Sequence, residues 1–326
     1  MTDATIIGAG VAGLWAARAL LSHGIRPRLV DRTGPPGAHG CSWWAGGMLA
    51  PECEGAIADE PVIRHGRAAA EAWAEVTEVT ARGSLVLAPA RDRADLTAFA
   101  RRTGGHEMLD TTGIAALEPD LDNRHEAALF FAQEAHLDPR RALADLVAAL
   151  ADDGVQIERA DLDPETVNGP VLDCRGMAAR AALPALRAVR GEMVVLRSSE
   201  ITLTRPIRLL HSRHPLYVVP RAGGLFMLGA TQVESAHQGG VTARAALELM
   251  STAYALDPRF AEAEIVELGA DLRPAFPDNV PRVVQRGNVL HLNGLFRHGY
   301  LMAPALARQA AQFLATGQKG DLFHED

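Results

Sequence analysis

Apolar positions along this chain follow two rhythms, and their succession predicts its architecture. Residues 4–7 form a continuous apolar run of the kind a buried strand makes. Glycines at 8, 10 and 13 interrupt it, and residues 14–23 then read as a helix ended by Gly24. The segment "IRPRLVDR" returns to a strand that stops at Asp31. Further on, "AAAEAWAEVTEVTA" (68–81) reads as an amphipathic helix, "SLVLAPA" as a strand and "DRADLTAFARRTG" as a helix. Residues 127–158 read strand, loop, long helix, strand, with Pro139 in the helix's first turn. "PVLDCRG" (170–176) is a strand running into a glycine turn.

The rhythm then changes. Residues 190–197, 207–210, 216–220 and 225–230 are short strands with brief turns, which predicts a mixed or antiparallel sheet. A helix follows over 243–255, strand-like segments return at 264–269 and 289–292, and a helix over 301–316 closes the chain. The expectation is an α/β protein: a Rossmann-like nucleotide-binding lobe with an inserted mixed or antiparallel-sheet lobe. The first lobe is expected from residues 1–80, 139–185 and 265–326, the second from 81–138 and 186–264. A length of 326 residues agrees with two lobes.

Composition narrows the classes. A net charge of −8 with interspersed signs argues against nucleic acid or an anionic membrane as partner. Lys319 is the only lysine, so a Schiff base or a phosphate-binding lysine is not expected, and a fixed cation must be arginine. Three cysteines without metal or C-x-x-C spacing fit a reducing cytoplasm. No apolar run reaches the ~18 residues of a membrane span. His211 and His214 lack a supporting carboxylate or cysteine, so no metal site is expected.

The glycine-rich turn carries the first chemistry. Gly8 makes the tight turn, Gly10 lets backbone approach a pyrophosphate and Gly13 allows close helix–strand packing. Asp31 lies 18 residues after Gly13, where an acid can bond a ribose hydroxyl; it disfavours a 2′-phosphate, which neighbouring Arg32 offsets slightly. The turn alone does not separate a nicotinamide from a flavin dinucleotide.

The segment "GCSWWAGGMLAP" (40–51) is the second candidate for cofactor contact. Its small residues let backbone reach a flat ring. With Ser42, Ala45, Gly46, Gly47 and Met48, it resembles the stretch that passes the flavin in the glycine oxidase and D-amino acid oxidase group of FAD enzymes. "VLDCRG", ending in Gly176, resembles the strand that closes the FAD pocket, in the variant of the bacterial thiamine-pathway glycine oxidases. The likeness covers essentially the whole chain and implies a D-amino acid oxidase-like fold.

Three later motifs stand in that group's order. "YVVPR" aligns Tyr217 with a tyrosine that bonds the substrate carboxylate, and "DLRP" aligns Arg273 with the arginine that pairs with it. "FRHG" aligns Arg297 with a further active-site arginine, and sets His298, Gly299, Tyr300 and Leu301 beside the flavin. Arginine is the planar two-donor partner a carboxylate calls for. Gln232 stands where a hydrophobe is usual, and His298 where asparagine is frequent. No cysteine follows Cys174, so the flavin is expected to be non-covalent.

The resemblance implies oxidation of glycine or a similar small amino acid. Hydride passes from Cα to flavin N5, leaving an imine, and molecular oxygen becomes hydrogen peroxide. The imine is hydrolysed or feeds thiazole synthesis for thiamine. Other readings stay open at this point: a D-amino acid or sarcosine-type oxidase or dehydrogenase, an NAD(P)-dependent dehydrogenase, or a non-catalytic flavin module. Homo-oligomerisation is equally open.

Overall fold

The computed structural model describes residues 3–211 and 213–324. Asp3–Ile7 lies parallel to Arg26–Asp31 on one side and to Val171–Asp173 on the other. The sheet continues to seven strands in the order Phe323–His324, Arg282–Arg286, Val289–Asn293, Val171–Asp173, Asp3–Ile7, Arg26–Asp31, Ile157–Arg159. Its one antiparallel pair is the hairpin Arg282–Arg286 with Val289–Asn293. The chain leaves Asp3–Ile7 for the strand on one side and later adds the strand on the other. The carboxyl end of that first strand is therefore a switch point, where open α/β sheets hold ligands.

The helix Val11–Ser22 is buried nearly all round, as its apolar sequence requires. It packs between Pro139–Asp152 and Gly299–Thr316. The last helix contains Pro304, which cannot donate to the carbonyl of Tyr300 four residues earlier. The indole N–H of Trp73 takes that place, donating to the Tyr300 carbonyl at 2.7 Å, and the two rings stack at 5.3 Å. A buried carbonyl orphaned by proline is thus satisfied from another helix.

The second sheet has nine strands, ordered Val233–Glu234, Arg187–Arg197, Leu225–Gly229, Leu216–Arg221, Ile207–Leu209, Ser84–Leu87, Ala127–Phe131, Glu107–Asp110, with Glu264–Ala275 pairing along Arg187–Arg197. Alternation sorts its faces. Ile207, Leu209, Leu216, Val218 and Leu228 enter a core with Leu249 and Phe260. Arg208, Tyr217 and Gly229, paired across the strands, point the other way, towards the first lobe.

Several elements differ from the sequence expectation. The helix expected over 68–81 is only Ala69–Ala74. Beyond it, β-branched Val76, Thr77, Val79 and Thr80 disfavour helix, and Thr80 exchanges backbone bonds with His136 instead. The strand expected over 264–269 runs on as Glu264–Ala275 and belongs to the second sheet, although 265–326 was expected in the first lobe. The expected strand stops at Gly269, but that glycine sits mid-strand, where a Cβ would lie 2.1 Å from the Trp44 ring. The helix Glu60–Gly66, the strand Glu107–Asp110 and the helix Thr111–Leu117 went unread.

Candidate active site

A cavity of about 980 Å³ runs between the two lobes from the glycine-rich turn to the inner face of the second sheet. At its first end Gly8 adopts φ +108°, and a Cβ there would lie 2.6 Å from the Cys174 carbonyl. A Cβ on Gly13 would lie 1.8 Å from the Gly8 carbonyl, so Gly13 shapes the turn from beneath and does not line the cavity. Gly10 caps the helix, with its N-terminus facing the cavity. Ser42 Oγ accepts from the Val11 N–H at 3.1 Å, tying the 40–51 segment to the turn.

The Asp31 carboxylate accepts from the Ala9 N–H at 2.8 Å and from the Thr33 N–H and hydroxyl. Burial opposes its ionisation, but these bonds hold its pKa below the ordinary value. Arg32 is exposed at the cavity rim. At the neighbouring strand end, burial again opposes ionisation of Asp173, but bonds from His291 and Arg175 hold it down to about 2.

The middle of the cavity is lined by Ala45, Gly46, Gly47 and Met48, with Gly176 and Gly299–Leu301 opposite. Gly47 has φ +79° and backs onto the Leu137 carbonyl. Met48 pairs with His136 in a short two-stranded ladder. The Ala45 carbonyl accepts from Arg221 at 3.0 Å, and Tyr300 donates its hydroxyl to the carbonyls of Ser42 and Pro139. A dinucleotide with a flat ring fits these walls: a glycine turn without Cβ atoms, a helix N-terminus and a small-residue strip.

The far end gathers the three residues expected at the substrate. Tyr217 stands beside Gly229, where a Cβ would lie 2.5 Å from its hydroxyl, so only glycine leaves the ring room. Among the described residues no protein group bonds that hydroxyl, and burial raises its pKa. Arg273 donates to the Thr231 carbonyl at 2.7 Å through Nη2 and, at 3.4 Å, to those of Val189 and Arg190. Its ring neighbour is Phe296 at 5.2 Å. Its Nη1 has no protein acceptor, and no carboxylate pairs with it among the described residues. Burial lowers its pKa.

Arg297 is placed differently. It closes on Glu54, with Nη2 to Oε1 at 3.1 Å and Nε to Oε2 at 3.0 Å. Arg208 shares the same Oε1 at 2.9 Å. His298 is buried with Nδ1 at 3.6 Å from Glu54 Oε2 and no hydrogen bond there. Burial opposes ionisation of Glu54, yet Arg297, Arg208 and His298 hold it well below the carboxylate range. Burial, opposed by Glu54 and reinforced by Arg297, Arg208 and Arg273, pushes His298 down to about 4, so its imidazole is neutral at pH 7.

Glu54 and Arg208 were not singled out from sequence. Arg208, a lone charge between Ile207 and Leu209 in a buried strand, was the available signal. Glu54 ends a single proline-started turn, Pro51–Glu54, with no pattern of its own. Asp271, two residues before Arg273, also lines the cavity, and burial raises its pKa. His211 and His214 stack at 6.0 Å, and Arg91 donates to His211. No helix of the described residues is long and apolar enough to cross a membrane.

Comparison with known proteins adds three findings. The family model "FAD dependent oxidoreductase" matches residues 3–313. A protein of Rhizobium etli, provisionally named thiamine biosynthesis oxidoreductase ThiO, is 52% identical over 95% of this chain and 96% of its own. The crystal structure of glycine oxidase from Geobacillus kaustophilus superposes with a TM-score of 0.82 at 22% identity, covering 99% of this chain and 97% of that one.

Proposed function

The chain belongs to the FAD dependent oxidoreductase family, and from that premise we propose that it is an oxidase of glycine or a similar small amino acid. The carrying observation is the continuous cavity, with a cofactor cradle at one end and the unpaired Arg273 and Tyr217 at the other. The glycine turn, Asp31, the 42–48 segment, Gly176 and residues 298–301 would hold FAD without a covalent bond, and it would supply an acceptor for the two electrons and the hydrogen lost from the substrate, with molecular oxygen as the final oxidant.

The chain's own residues bind and orient. Arg273 Nη1 and the Tyr217 hydroxyl donate to the substrate carboxylate, a charge-assisted pairing that fixes the orientation of Cα. The substrate amine reacts in its unprotonated form, and Arg273, Arg208 and Arg297 disfavour an ammonium beside them. The amine lone pair then forms the C=N bond as Cα–H is lost, and no protein base is needed. His298 stays neutral and adds no charge against the amine. Gly46 and Gly229 leave space for the Tyr217 ring and exclude side chains from the reacting end.

The product imine would be hydrolysed to glyoxylate and ammonia or passed to thiazole synthesis; the name of the Rhizobium etli relative refers to thiamine biosynthesis. The three cysteines are free, in keeping with a reducing cytoplasm.

Peroxide detection on the purified yellow protein across glycine, sarcosine, D-alanine and D-proline tests the reading. Turnover of glycine at the highest kcat/KM is expected; no peroxide with any of them removes the oxidase assignment. Arg273→Ala should keep FAD and lose at least 100-fold in kcat/KM, about 3 kcal/mol of transition-state binding. Full activity in that variant would displace Arg273 as the carboxylate anchor.

A further inference from the structure

The guanidinium donors at the substrate end are not all used. Arg208 and Arg297 share one carboxylate, Glu54, and all three are largely withdrawn from solvent, with side-chain exposures of 13%, 17% and 8%. Only Arg208 Nη2, Arg297 Nη2 and Arg297 Nε face Glu54. Their remaining N–H groups have no protein acceptor among the described residues, yet none is a closed-off orphan. His298 is neutral and contributes no charge. The other buried carboxyl of this wall, Glu134, lies near Arg208 but accepts from the Cys53 N–H at 2.7 Å and from the Ser84 hydroxyl, and takes no bond from either arginine. Idle guanidinium donors therefore remain on Arg208 and Arg297, in addition to Arg273 Nη1.

The donors of Arg208 and Arg297 lie beside the proposed carboxylate anchor. Arg208 and Tyr217 are direct cross-strand partners on one face of the second sheet, which sets their Cβ atoms roughly 5 Å apart. A buried cation with idle donors calls for an anion. The cofactor's pyrophosphate belongs to the glycine turn at the opposite end of the cavity. An α-carboxylate on Arg273 and Tyr217 leaves the idle donors of Arg208 and Arg297 unanswered.

We propose that Arg208, with Arg297, forms a subsite for a second carboxylate of the substrate, so that small amino acids with a distal acid group are preferred over neutral ones of the same backbone. The proposal rests on the reading of Tyr217 and Arg273 as the α-carboxylate anchor. Glu54 then holds the two guanidinium planes in place.

The test uses the FAD-loaded enzyme and two N-substituted glycines that differ by one carboxylate, sarcosine and iminodiacetate. Iminodiacetate should have a kcat/KM at least about tenfold higher, the scale of one charge-assisted contact. Arg208→Gln should bring that ratio close to one. In parallel, malonate and acetate are titrated into the same protein and followed by the flavin absorbance. Malonate should bind at least about tenfold tighter, with the preference lost in Arg208→Gln. A native enzyme that favours sarcosine and binds malonate no better than acetate overturns the subsite, whatever the fate of the variant. A preference that survives Arg208→Gln overturns the assignment to Arg208. Glycine turnover without a malonate preference sinks the subsite alone. A malonate preference without turnover of any amine sinks the oxidase reading alone.

Discussion

Tyr217 is held by absences. Gly229 and Gly46 each lack the Cβ that would meet its ring, at 2.6 Å and 3.0 Å. Its hydroxyl is thereby left in the cavity with no protein partner. Tyr217→Phe keeps the packing and removes the neutral donor proposed for the substrate carboxylate. It should raise KM for glycine about fivefold to tenfold with the flavin spectrum unchanged, as the loss of one ordinary hydrogen bond predicts. An unchanged KM in steady-state assays would place the hydroxyl outside the carboxylate's reach. Gly229→Ala should be worse than Tyr217→Phe in both stability and KM, because a methyl group at that distance displaces the ring itself.

At this scale the sequence was readable where a motif carries its chemistry in its own letters. The glycines at 8, 10 and 13, the Ala45–Gly46–Gly47 strip, Tyr217 and Arg273 all line or shape the one cavity. The partnership of Arg297 was not readable. Its carboxylate, Glu54, lies 243 positions earlier on a single helical turn, and Arg208 shares it from a third segment. Pairing over such separations is set by the tertiary fold and leaves no local pattern.

Among the elements, the last helix depends on a donor from outside itself. Pro304 frees the Tyr300 carbonyl, and Trp73 bonds it from Ala69–Ala74. Trp73→Phe retains an aromatic ring but leaves the buried carbonyl unpaired, at a cost of about 1–3 kcal/mol. Chemical denaturation should report that loss, and FAD affinity should fall with it because Gly299–Leu301 line the cofactor cavity. A variant as stable as the native protein would show that water replaces the indole. The same elements mark the limits of pattern reading. The 68–81 segment has helical periodicity, yet its β-branched second half pairs with His136. Glu264–Ala275 looks broken at Gly269, yet that glycine accommodates Trp44 inside a continuous strand. In both cases the deciding neighbour is remote in sequence.

For the whole molecule, buried histidines set the acid limb of stability. Burial, reinforced by neighbouring arginines, lowers His298 to about 4 and His136 to about 4. Both folded pKa values lie below the unfolded value near 6.5. The unfolded chain therefore binds more protons between these limits, and stability is lost as pH falls from about 6.5 towards 4. Each histidine contributes a loss on the order of a few kcal/mol across that window. Urea denaturation at pH 7 and pH 4.5 should show a clear drop, and His298→Asn should reduce it. A native protein equally stable at both values would contradict the burial of two neutral imidazoles. The two-lobe plan was legible because the chain's periodicity changes after residue 185, whereas the allocation of Glu264–Ala275 depended on which sheet offered it a partner.

The Asp31 carboxylate, read from sequence as a ribose contact, is also the staple of the turn, through the Ala9 N–H and both donors of Thr33. Much of the ordering cost of the pyrophosphate cradle is then met when the polypeptide folds, before any dinucleotide arrives. Cofactor loading becomes capture by a finished socket, with little rearrangement to slow it. Asp31→Asn should consequently slow FAD uptake by the apoprotein in stopped-flow fluorescence, as well as weaken its retention. Equal uptake rates in the two proteins would mean that the socket is finished by the cofactor itself.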